Sequence, residues 1–132
     1  MCNYYLDISY YRIYQGMVWM KIILNFIPPT INKYIGKTNW QEYQRDKKKI
    51  HQAVKMSTIG INPKYKSCKI RMTYYFEDKK RRDTLNYDKM IMDGLVEASI
   101  IEDDNYDVVK EITIIGSCDK NNPRVEIYIE EV

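Results

Sequence analysis

Residues 78–104 combine a run of cations with grouped carboxylates, and that combination suits the cleavage of a phosphodiester backbone. Four consecutive cations are followed directly by Asp83, and a pair of aspartates comes about twenty residues later. The cations are Lys79, Lys80, Arg81 and Arg82, and the pair is Asp103-Asp104. Cations attract a polyanion through its phosphates, and carboxylate oxygens are ligands that Mg²⁺ takes in proteins. The segment predicts metal-dependent phosphodiester chemistry, with a solvated charged surface as the alternative.

The residues after the cations are predicted to form a helix that begins at Asp83 or Thr84 and runs to about Ala98. On a helical wheel its polar stripe contains Asn86, Lys89, Asp93 and Glu97, and its packing face contains Ile91, Met92, Leu95 and Ala98. The positive end of such a helix suits phosphate oxygens, and Lys89 would stabilise charge in a transition state. The simpler interpretation is a cap at Asp83 and an ion pair between Lys89 and Asp93, worth a few tenths of a kcal/mol.

The acidic pair Asp103-Asp104 lies where this helix has ended and a new strand approaches, with Glu102 before it and Asp107 after it. Bunched carboxylates repel one another unless water or a cation neutralises them. Mg²⁺ binds through one or two carboxylates together with waters and a substrate phosphate. The bound ion would polarise the phosphate and generate a hydroxide nucleophile. A solvated acidic turn is the alternative.

The elements that must position these groups are four strands and two helices. Alternating apolar residues predict strands from about Met17, over Lys69 to Phe76, over Val108 to Ile115 and over Arg124 to Glu130. Pro28-Pro29 ends the first strand, and Thr38 or Asn39 caps a helix covering roughly Trp40 to Met56, which is rich in lysine. The pattern predicts a single small α+β domain with a mixed or antiparallel sheet.

Composition favours a cytoplasmic protein with an anionic partner. The 132-residue chain is 45% hydrophobic and 30% charged, which is ordinary for a globular domain. From Glu97 onward, ten acidic and three basic residues give a net charge of −7. Because the whole chain carries +3, residues 1–96 carry a net charge of +10. The three scattered cysteines are interpreted as reduced thiols, and the single histidine excludes histidine-based metal sites. No apolar run is long enough for a membrane span, and no secretory signal is visible.

Residues 1–16 are rich in tyrosine and show no clear period. We interpret them as a dispensable extension ahead of a domain over residues 17–132. The alternatives are an edge strand or a dimer contact. Frequent Ile, Lys, Asn and Tyr point to an AT-rich bacterial or phage genome.

The motifs resemble those of the RusA family of Holliday-junction resolvases. The matching residues are Asp83-x-x-Asn86-x-x-Lys89, Asp93-x-Leu95 and Ile101-x-Asp103-Asp104, and upstream Pro28-Pro29-Thr30-Ile31-Asn32-x-Tyr34. The resemblance runs from about Met20 to Val132 and keeps the order and spacing of the motifs. It implies a RusA-like fold and a homodimeric, Mg²⁺-dependent endodeoxyribonuclease, with Mn²⁺ as an alternative ion. Such an enzyme resolves four-way DNA junctions by paired nicks during recombination and repair.

The resemblance also assigns roles to residues. It implies that Asp83, Lys89 and Asp104 are catalytic, and that Asp83, Asp103 and Asp104 hold the metal. The residues implied to contact nucleic acid are Lys79, Lys80, Arg81, Arg82, Asn86 and Asn32.

One position departs from the family pattern. The family's second catalytic aspartate, two residues after the first, is Leu85 here. A leucine side chain cannot coordinate a metal, so the sequence leaves three interpretations open. In the first, a water or another acid (Glu77, Asp78 or Asp103) compensates and the enzyme cuts DNA. In the second, the protein binds junctions or duplexes with weak or no nuclease activity, and in the third it uses a modified site with a single metal ion.

Overall fold

The computed structural model describes residues 10–14, 17–34 and 40–132, which form a five-stranded mixed sheet with two α-helices. The strands are β1 (Tyr10–Tyr14), β2 (Met17–Leu24), β3 (Cys68–Phe76), β4 (Val109–Cys118) and β5 (Arg124–Glu131). The helices are α1 (Trp40–Ser57) and α2 (Lys89–Glu97), and short 3-10 turns cover Ile31–Tyr34 and Thr84–Asn86. The sheet order is β1-β2-β5-β3-β4, in which only β3 and β4 are parallel. The predicted α+β domain is confirmed.

The core lies between the helices and one face of the sheet, and the period-two pattern of the strands explains it. Ile70, Met72, Tyr74 and Phe76 of β3 are all buried, as their alternation predicts. The packing face predicted for α2 is buried as well. Gly94 of α2 permits a close approach of the helices, since a Cβ there would lie 3.3 Å from Val54 Cγ2 of α1. This contact packs α2 against α1.

Residues 10–14 form an edge strand, antiparallel to β2 in register with Met17–Lys21. The four predicted strands are present, and β1 adds a fifth. That residues 1–16 are dispensable stays a prediction, and residues 1–9 and 15–16 lie outside the described part. The proposed caps at Thr38 and Asn39 also lie outside it.

The start of the second helix was predicted wrongly. The chain forms the 3-10 turn Thr84–Asn86 first, and α2 begins only at Lys89 with Asp88 at its N-cap. Asn86 is therefore outside the helix, and Asp83 does not cap it. Tyr87 explains the interruption, because its ring packs against Tyr74 and Phe76 and so anchors the chain to β3.

The far face of the sheet carries a buried ion pair. Lys21 Nζ of β2 lies 2.8 Å from Glu126 Oε1 of β5, and the two side chains are 0% and 5% exposed. Arg124 approaches the same carboxylate at 3.6 Å and stacks 3.9 Å from the centre of the Tyr75 ring. Burial lowers the pKa of Lys21, but the hydrogen bond and charge of Glu126 outweigh it and leave that pKa raised. Lys21 and Glu126 occupy the polar positions of strands that alternate apolar and polar residues. This pattern predicts exposed side chains, so nothing in the sequence indicated that the pair would be buried.

Candidate active site

The cationic loop leaves the end of β3 and is held by an internal ion pair. Arg82 Nη1 donates to Asp78 Oδ1 at 2.6 Å, and the Arg82 guanidinium lies 4.8 Å from the centre of the Phe76 ring. Arg82, with a further hydrogen bond from the backbone N–H of Lys80, holds the pKa of Asp78 below its usual range. Arg82 thus shapes the loop, while Lys79, Lys80 and Arg81 are exposed.

Asp83 and Asn86 are brought together by the 3-10 turn. Asn86 Nδ2 donates to Asp83 Oδ2 at 3.2 Å, so the amide orients the exposed carboxylate. The turn packs on β4 at Gly116, where an added Cβ would lie 3.0 Å from Thr84 Cγ2. Gly116 was not singled out from the sequence, because a lone glycine inside a strand only hints at such a close approach.

Lys89 is the first residue of α2, and its ammonium group lies between two carboxylates. Its Nζ is 3.6 Å from Asp93 Oδ1 and 4.0 Å from Asp104 Oδ2. The first contact is the predicted pair one turn along the helix. The second joins α2 to the loop before β4, and it connects two residues that only the motif had linked.

The loop that carries Asp104 is positioned from both ends. Ile100 and Ile101 are buried, and the backbone N–H of Glu102 donates to the Tyr65 carbonyl at 3.0 Å. Asp103 stabilises the turn itself, since its two oxygens accept from the Asp104 backbone at 2.7 Å and from Asn105 Nδ2 at 3.0 Å. The carboxylate of Asp104 is left to face Lys89.

Asn105 is a structural residue that sequence reasoning missed. Its Oδ1 accepts hydrogen bonds from the backbone N–H groups of Asp107 and Val108, at 3.0 and 3.2 Å. An asparagine inside an acidic turn is a recognisable signal for such a bond. These hydrogen bonds stabilise the turn that connects the acidic pair to β4.

The predicted site residues do not all meet in one cluster. Asp104 contacts Lys89, Asp83 contacts Asn86, and Asp103 contacts its own loop. Among residues 10–14, 17–34 and 40–132, no three carboxylate, cysteine or histidine side chains group closely enough to hold a metal ion. The available donors are carboxylate oxygens, which suit Mg²⁺ or Mn²⁺. Because Mg²⁺ needs only one or two protein carboxylates, these donors fit such an ion.

Asn32 is exposed in the turn Ile31–Tyr34, which packs against α1. Lys33 Nζ lies 3.0 Å from Glu42 Oε1 and 2.9 Å from Asp46 Oδ2, and the Tyr34 hydroxyl donates to the same Asp46 carboxylate. The Tyr34 bond and then Lys33 lower the pKa of Asp46. These contacts hold the motif segment that ends at Tyr34 against α1.

Comparison with known families identifies the family of the chain. The family model described as endodeoxyribonuclease RusA matches residues 20–130, which is most of the chain. The protein therefore belongs to the RusA endodeoxyribonuclease family. A search of curated proteins found no match. In the described part of the chain, no helix has the length and apolar character needed to cross a membrane.

Proposed function

We propose that the protein is an Mg²⁺-dependent, structure-selective endodeoxyribonuclease that resolves four-way DNA junctions by paired nicks, in recombination and repair. The observation that supports it most directly is the contact between Lys89 and Asp104, two motif residues from separate elements of a RusA-family chain. Exposed cations at the end of β3 suit the phosphate backbone that such an enzyme must hold.

Asp83 and Asp104 are the residues we expect to hold the ion, with Mn²⁺ as an alternative to Mg²⁺. When bound, the ion supplies Lewis-acid polarisation of the phosphate and lowers the pKa of a bound water. Asp103 was implied as a further ligand; its two hydrogen bonds within the loop suit it better to orienting Asp104. Asn86 keeps the Asp83 carboxylate in position.

Lys89 balances the negative charge that develops on the phosphate during cleavage. The Lys89 side chain is 59% exposed, so a substrate phosphate can reach it without disturbing the core. Lys79, Lys80 and Arg81 would contact backbone phosphates independently of sequence. Arg82 and Asn32 complete the predicted contact set, although Arg82 also holds the loop.

The enzyme is proposed to act as a cytoplasmic homodimer, because cutting two opposed strands of a junction requires two sites related by a twofold axis. The resemblance to RusA-family resolvases implies the same oligomeric state. A phage or prophage origin is consistent with the AT-rich character of the composition.

The deciding experiment incubates the protein with a labelled four-way junction and Mg²⁺ or Mn²⁺. Symmetric nicks on opposite strands are expected. Asp104→Asn should lower cleavage by at least about a hundredfold, since even residues that only support metal ligands cost about 10–100-fold. Junction binding should persist. Asp107→Asn, an exposed acid of the same loop, is the matched control and should cut normally.

A second function is junction or duplex binding with weak or no cleavage. Two observations favour it. Leu85 occupies the position of the family's second catalytic aspartate, and no group of three metal-binding side chains is present among the described residues. Tight junction binding without nicks under either ion would establish this alternative and refute the nuclease proposal.

A further inference from the structure

We propose that the flank of α1 facing α2 is a second phosphate-contacting surface, along which one arm of the DNA runs away from the candidate active site. The inference rests on the proposed DNA substrate. We call this surface the lysine flank, and it consists of Lys47, Lys48, His51 and Lys55 with Gln44 and Gln52 between them. It is separate from the cationic loop after β3.

The acidic residues of α1 are separated from the lysine flank. The acidic residues Glu42 and Asp46 lie on the opposite flank, where Lys33 neutralises both at 3.0 and 2.9 Å. Within the described part of the chain, Lys47 and Lys48 form no ion pair. The lysine flank therefore presents cations that the fold does not use, which is the condition for attracting a polyanion.

The lysine flank lines an open groove of about 430 Å³ between the two helices. Across it, Glu97 of α2 pairs with Lys55 at 3.4 Å, a contact with both side chains more than half exposed. The other lining groups include the amides of Gln44 and Gln52 and the ammonium groups of Lys47 and Lys48, which donate hydrogen bonds to phosphate oxygens when such a ligand is present. His51 packs closely on α2, because a Cβ at Gly94 would lie 3.5 Å from its Cδ2.

The groove leads to the candidate active site through α2. Gly94 of α2 lies against His51, and the neighbouring Asp93 pairs with Lys89 at 3.6 Å. Lys89 in turn contacts Asp104. From Lys47 to Lys55 the helix rises about 12 Å, the length of roughly three to four phosphates on one strand. A DNA arm held at Lys89 can therefore continue along α1.

The experiment measures junction affinity against salt concentration in the Asp104→Asn background without a divalent ion, so that the junction stays intact. Adding Lys47→Gln and Lys48→Gln should weaken binding and reduce the slope of log affinity against log salt by up to about 2, since each released phosphate contact contributes about 0.9. The matched control is Lys69→Gln with Arg71→Gln, which removes the same charge from the other face of the sheet. Its slope should be unchanged.

If the slope were unchanged in the Lys47/Lys48 variant, or fell equally in the control, the proposed role of the lysine flank would be wrong. The proposed function would not be affected. A parent protein that binds no junction at low salt would overturn both. With Asp104 restored, the Lys47/Lys48 variant should need a higher junction concentration for half-maximal cleavage. An unchanged concentration requirement would contradict the proposal.

Discussion

The Lys89 ammonium nitrogen lies 4.0 Å from a carboxylate oxygen of Asp104, and this contact joins the first turn of α2 to the loop before β4. The same nitrogen is 3.6 Å from Asp93. One cation thus orients two carboxylates from different elements. Under the proposed function, a phosphate brought here by the ion at Asp104 would gain negative charge during cleavage, and the Lys89 ammonium group would offset that charge.

We predict that Lys89→Ala lowers turnover by about 10²–10³-fold, the usual effect of removing one group that stabilises transition-state charge. Lys89→Arg, which keeps the charge but changes its geometry, should recover part of the rate. Single-turnover cleavage of a saturating junction measures both.

Asp93→Asn is the control for this change, because it removes the helical ion pair and leaves Lys89 and Asp104 in place. That pair is worth only a few tenths of a kcal/mol at an exposed position, so cleavage should fall little. If Asp93→Asn lost as much activity as Lys89→Ala, the proposal that Lys89 acts in catalysis beside Asp104 would be wrong.

Leu85→Asp should raise cleavage by roughly tenfold or more, since ligand-sphere changes alter metal affinity or activity by about 10–100-fold. Residue 85 lies in the turn Thr84–Asn86, between Asp83 and the asparagine that binds it. A second carboxylate there would add ligand charge for Mg²⁺. Nicking rate and Mn²⁺ affinity by titration calorimetry measure the effect.

Leu85→Asn separates ligand charge from polarity, because the two replacements match in size. Equal rates for the two variants would show that the missing carboxylate does not limit the enzyme. A higher cleavage rate for Leu85→Asp alone would show that a carboxylate at position 85 contributes to the active site.

The sequence predicted the fold well where its pattern was strictly periodic. The alternation in β3 and the packing face of α2 both agree with the structure, since burial follows the period of each element. The start of α2 was missed because Tyr87 packs against β3, a tertiary contact that local propensity does not contain. The contact between Lys89 and Asp104 depends on how α2 meets the following loop, so only the family motif suggested it.

Asp88 gives a pH-dependent prediction. Burial raises its pKa above the ordinary value, and the backbone and Lys89 offset this only in part. At a pH below the ordinary carboxyl pKa the side chain is neutral in both states and costs nothing. As pH rises past the ordinary value, the unfolded chain loses its proton first, so stability falls; it levels off above the raised folded pKa, where the folded state holds a half-buried charge.

Asp88→Asn should therefore raise Tm at pH 7 and have little effect near pH 3. Asparagine is as good an N-cap as aspartate, and the Asp88 side chain makes no capping hydrogen bond. Thermal unfolding across this pH range, with exposed Asp107→Asn as the control, measures the difference. A stabilisation that persisted unchanged at pH 3 would exclude the charge of Asp88 as its cause.

The buried pair of Lys21 and Glu126 predicts an asymmetric loss of stability. Glu126→Leu leaves Lys21 without its carboxylate partner and also removes the Arg124 contact, so it should cost about 3–5 kcal/mol. Lys21→Met should cost less, because Arg124 still approaches Glu126 at 3.6 Å. The double replacement should be more stable than Glu126→Leu alone, since burying two apolar side chains in place of an ion pair is often neutral. Urea unfolding of the four proteins gives the coupling energy, and strictly additive losses would contradict a paired interaction.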